Sequence, residues 1–63
     1  MNYWVIHEIH GKYHAIGPYK TERAAENKFE KIKGGGEAHL FRSLEDDPQK
    51  VLSEFRDEYI RRL

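Results

Sequence analysis

From Asn2 to Gly17 apolar residues fall on both parities of the chain, and their types predict a β-hairpin. Tyr3, Trp4, Val5, Ile6 and Ile9 suit a pleated surface, and Tyr13 to Ile16 continues in kind beyond His10-Gly11-Lys12. Gly11 marks the turn. A two-residue loop at His10-Gly11 sets His7 opposite His14, whereas a loop at Gly11-Lys12 sets Ile9 opposite His14. With either loop Tyr3, Val5, His7, Ile9, His14 and Ile16 share one face, and Trp4, Ile6, Glu8, Tyr13 and Ala15 share the other. The two faces weigh about the same. The β-branched content favours burying the first set, which leaves Trp4 and Tyr13 exposed; the rarity of a lone tryptophan in water argues the other way.

Gly17-Pro18 ends the second strand, because proline lacks the donor a ladder needs. Thr21 then reads as an N-cap with Glu22 in the first turn, and Ala25, Phe29 and Ile32 form one apolar stripe, predicting a helix over residues 22–33. Lys28, Lys31 and Lys33 crowd its C-terminal half, where the helix dipole favours cations, and Gly34-Gly35-Gly36 stops it. Ala38 to Arg42, centred on Leu40-Phe41, reads as a third strand. Asp46-Asp47-Pro48 is a helix start, and Leu52, Phe55, Tyr59 and Leu63 recur at spacings of three, four and four, with Val51 and Ile60 widening the stripe. Arg61 and Arg62 suit the far end.

Three short strands and two one-sided helices predict an α+β domain of β-β-α-β-α order. The economical arrangement is two layers, a three-stranded sheet with both helices on one face. A third strand beside the first is expected to run parallel to it through a right-handed crossover. The opposite sheet face is then open to a partner, and function is expected there.

With 63 residues the chain has room for one domain, residues 1–63, and it contains no cysteine, which removes disulfides, thiolate metal sites and thiol chemistry. Apolar residues make up 38% against 35% charged, enough hydrophobic material for a compact core rather than a disordered segment. The longest apolar run is Trp4-Val5-Ile6, too short to cross a bilayer, and no basic-then-apolar leader pattern opens the chain; a cytoplasmic location is expected. Formal net charge is zero, so binding to nucleic acid would need a local patch, and self-association is mildly favoured.

Of the four histidines, His7 and His14 share a face that His10 does not, leaving too few ligands for a transition-metal site; a surface sensitive near pH 6 is the milder reading. Ser43, Ser53 and Thr21 read as caps or outer helix positions rather than nucleophiles. Glu45, Asp46 and Asp47 read as a helix-start cluster, and no enzymatic activity, cofactor or small-molecule substrate is implied. The glycine triplet follows a helix and precedes a strand, the reverse of a phosphate loop. Charge is less evenly spread: Lys20, Arg23, Lys28, Lys31 and Lys33 outnumber Glu22, Glu26 and Glu30. A basic helix beside aromatic strands is a recipe for phosphate contact with base stacking. Trp4, Tyr13, Lys20, Arg23, Lys28 and Lys31 are therefore the candidate binding residues.

Gly17-Pro18-Tyr19-Lys20-Thr21-Glu22-Arg23-Ala24-Ala25-Glu26 resembles the GPF-x-[ST]-x-x-x-A element of SPOR peptidoglycan-binding domains. The layout from Tyr3 to Phe55, a Tyr-x-Val strand, a Gly-x-Tyr turn, a helix, an aromatic strand and a second helix, is similar to the hybrid-binding domain of ribonuclease H. That similarity would imply contact with an RNA/DNA duplex. Arg23 and Ala24 stand where that family has a tryptophan, and none of its functional residues carries over. From the residues themselves the expectation is a small non-enzymatic module that meets a protein partner or a second copy of itself through an open sheet face. Nucleic-acid binding is the alternative.

Overall fold

The computed structural model describes residues 1–60, Ile60 through its backbone alone. Its elements are β1 (Asn2–Ile9), β2 (Lys12–Tyr19), α1 (Glu22–Ile32), a 3₁₀ turn (Lys33–Gly35), β3 (Glu37–Ser43), α2 (Pro48–Phe55) and a π-helical continuation (Arg56–Ile60). The α+β class, the order of elements and the three-stranded sheet are as the sequence patterns indicate. Leu63, Arg61 and Arg62 lie outside the described residues, as does the side chain of Ile60.

Local chemistry explains the boundaries. The hairpin turns at His10-Gly11, both with positive φ (52° and 80°), which is the signature of a primed two-residue turn whose twist matches the strands. The resulting register sets His7 opposite His14 and Ile9 opposite Lys12. Thr21 Oγ1 accepts from the Ala24 N–H at 3.2 Å and opens α1. Asp47 Oδ1 accepts from the Gln49 N–H at 2.9 Å and opens α2, with Pro48 in the first turn.

The strand order is β2-β1-β3, and β1 is antiparallel to both neighbours. The expected parallel pairing of β3 with β1 is therefore corrected. A strand-helix-strand crossover returns the chain to the end it left. Since α1 departs from β2, β3 runs with β2, and β2 is itself antiparallel to β1.

A second correction concerns the layers. Trp4, Val5 and Ile6 are consecutive on the central strand, and all three are fully buried. Because side chains alternate across a sheet, both faces of β1 must be covered. One core consists of Trp4, Ile6 and Phe41 against Val51, Leu52 and Phe55 of α2, with Tyr13 and Ala15 packed at its margin. Val5 lies on the other face, where α1 runs against β1 and β3 and buries Ala25. The helices thus flank the sheet instead of sharing one face, and the expected open sheet face is occupied. Trp4, expected at the surface, is enclosed, and Tyr13 is half-buried with its ring 5.5 Å from that of Phe55. The tryptophan is the largest apolar surface the chain owns, and leaving it in water would forfeit a large part of so small a core.

Candidate interaction edge

The faces being covered, the two outer edges of the sheet hold the remaining backbone hydrogen-bonding groups, and they are built differently. On β2 the pairing is irregular: Val5 pairs with Ile16 but Tyr3 with Tyr19, so β2 carries an extra residue around Gly17-Pro18. A bulge and a proline both spoil an edge as a template, and Lys12 at the start of the strand adds a charge. Gly17, itself exposed, lies against the indole in the same feature. Its φ is +144°, and a Cβ there would come within 3.1 Å of the Trp4 ring, so the bulge also seats the indole.

On β3 nothing of the kind occurs. Seven consecutive pairs, from Asn2 with Ser43 to Glu8 with Glu37, run without a break. The strand contains no proline, glycine or lysine. A cluster of hydrogen bonds fixes its end. The buried Ser43 donates through Oγ to Glu54 Oε1 and accepts from the Glu45 N–H at 3.0 Å, while the Glu45 carbonyl accepts from Asn2 Nδ2 at 3.0 Å and Trp4 Nε1 at 3.3 Å. These bonds tie β3 to β1 and α2, and among the described residues no strand pairs with its outer side.

A cleft of about 500 Å³ opens across this edge. Glu22 and Ala25 of α1 and Glu58 and Tyr59 beyond α2 line it together with Leu40 and Arg42 of β3. Residues of both helical layers meet there, so the cleft spans the thickness of the domain. Large apolar side chains are exposed around it: Leu40 is 40% accessible, Tyr59 47% and Met1 66%. The Tyr59 ring stacks on Phe55 at 4.7 Å and lies 6.1 Å from His39 and 6.3 Å from Phe41, which holds it over β3.

The six candidate binding residues are not brought together. Tyr13 faces α2 and Trp4 is enclosed beneath the same helix, whereas Lys20, Arg23, Lys28 and Lys31 lie on or just before α1, on the other side of the sheet. Lys33 is engaged by Glu30 at 2.7 Å. The histidines also diverge: His7 and His14 are neighbours on the α1 face, His10 is in the turn and His39 faces α2. Among the described residues no three histidine or acidic side chains are grouped to hold a metal ion. No described helix is long and apolar enough to cross a membrane.

Leu40, Arg42, Tyr59 and Met1 escaped the residue-level reading because each is unremarkable in type. The signal available for them was the contrast between a second strand ending in Gly-Pro and a third strand with no edge-breaking residue. No protein-family model, curated protein or solved structure matches the chain, and neither local resemblance gains support from these comparisons.

Proposed function

We propose that this domain is a non-enzymatic binding module that takes another polypeptide strand onto the outer edge of β3. The observation that carries the reading is the unbroken seven-residue register of β3 with β1, beside a cleft of mixed polarity that Leu40, Arg42 and Tyr59 line and that reaches Tyr3 and Trp4 of β1. In strand addition the main chain supplies affinity through ladder hydrogen bonds, and side-chain pockets along the edge supply selectivity. Leu40 and Tyr59 are placed for that second task, and Arg42 and Glu58 add charge of both signs.

The nucleic-acid reading has less behind it. Base stacking needs exposed rings near the cations, and the two aromatic candidates lie across the sheet from the basic helix. The test is a photo-crosslinking side chain placed at Leu40 and, separately, at Lys31. Strand addition predicts polypeptide adducts from position 40 and few from position 31. Oligonucleotide adducts at position 31 with none of any kind at position 40 would replace it with the alternative.

A further inference from the structure

We infer that the strand accepted by β3 is β3 of a second copy of this chain, paired antiparallel about a two-fold axis through Leu40; the inference rests on the strand-addition reading above. The strand Glu37–Ser43 is symmetric about Leu40, so a register centred there is the one that pairs all seven of its residues. Glu37 then faces Ser43 of the second copy, Ala38 faces Arg42, His39 faces Phe41, and Leu40 faces its own counterpart. Each partner shares the parity of its mate, so the sheet continues with its α1 and α2 faces unmixed.

Charge and apolar pattern agree with that geometry. The strand has an acid at its start and a base toward its end, Glu37 and Arg42. Antiparallel pairing separates each from its twin, whereas parallel in-register pairing would set like charges side by side. Zero formal net charge means that two copies approach without long-range repulsion. The half-exposed Leu40 gains an apolar neighbour on the two-fold axis. Tyr59, already over His39 and Phe41, overhangs the joint where the same pair from the second copy arrives in reverse order.

The asymmetry of the edges also sets where assembly stops. A two-fold contact uses the same surface on both copies, and with β2 blocked by its bulge and Pro18 the six-stranded sheet has no further edge to offer. The product is a closed dimer.

Because the chain has no native cysteine, single cysteines report the register directly. A disulfide forms where Cα atoms approach within about 4.4–6.8 Å, the spacing of directly opposed residues on antiparallel strands. Under mild oxidation Leu40→Cys should link to itself at least about ten-fold faster than Lys31→Cys at equal concentration, as expected for a pre-associated pair. Ala38→Cys mixed with Arg42→Cys should give the mixed disulfide in preference to either self-linked product. Sedimentation of the unmodified chain should show a dimer. A monomer in sedimentation, together with linkage of Leu40→Cys no faster than Lys31→Cys, overturns the second-copy inference. If a photo-probe at Leu40 still captures another polypeptide under those conditions, strand addition stands without the dimer; if it captures nothing, both fall.

Discussion

The two edges of this sheet are built in opposite ways. The β2 edge is closed by its own backbone: the extra residue at Gly17-Pro18 breaks the register, and the same irregularity makes room for the Trp4 ring within the core. The β3 edge is regular throughout, anchored from within at Ser43 and lined outside by Leu40, Arg42 and Tyr59. One edge is shaped by folding, and the other is the edge to which we assign association in the proposed reading. A mutation on the β2 side should therefore register in stability, and a mutation on the outer side of β3 should register in binding.

The sharpest way to strain that division is Trp4→Ala. It empties the center of the α2 core and removes the donor to the Glu45 carbonyl, so a loss of about 3–5 kcal/mol is expected, enough to leave so small a domain largely unfolded in a denaturant titration. Gly17→Ala comes next. It forces a side chain into a left-handed backbone and against the indole at 3.1 Å, for a cost of about 1–3 kcal/mol, with dimer formation by the folded fraction unchanged. If Gly17→Ala leaves the denaturation midpoint where it was, the β2 edge is not structural in the sense described.

Ser43→Ala tests the inner anchor of β3. Losing its bonds with Glu54 and the Glu45 N–H should cost about 1 kcal/mol, seen as a lower midpoint with the same slope. Leu40→Lys should be the mildest for folding, within about 0.5 kcal/mol, because the side chain is already 40% exposed. It places a charge on the outer edge, as protected edge strands do, and two such charges would meet on the two-fold axis. Association should be lost while circular dichroism is unchanged. A Leu40→Lys chain that still sediments as a dimer would move the contact elsewhere.

Much of the fold could be read locally. The stripe of Ala25, Phe29 and Ile32, the caps at Thr21 and Asp47, and a turn about Gly11 each depend on neighbours within a few residues, and each appears in the structure, which also settles the open choice of loop in favour of His10-Gly11. The placement of the helices depends on distant packing. The near-equal weight of Tyr3, Val5 and Ile16 against Trp4, Ile6 and Ala15 was itself the missing clue, for a strand covered on both faces has no polar side to show. A strand with only one buried face would draw both helices to one side and leave Trp4 outside.

The site was less legible still. Basic residues and aromatics stand out in a sequence, but their relation depends on which face each occupies, and the sheet separates Tyr13 from Lys28 and Lys31. An edge becomes visible only once strand order is known. Residues 37–43 gave no chemical signal beyond the lack of proline, glycine and lysine, and that lack acquires meaning only when β3 is found at the border of the sheet.

Amide hydrogen exchange, followed residue by residue in dilute and in concentrated solution, tests the division between the edges most directly. Slower exchange at high concentration confined to outward amides of β3, with those of β2 unaffected, is the predicted result. Equal rates at both concentrations throughout β3, or protection that grows along β2 instead, would contradict it.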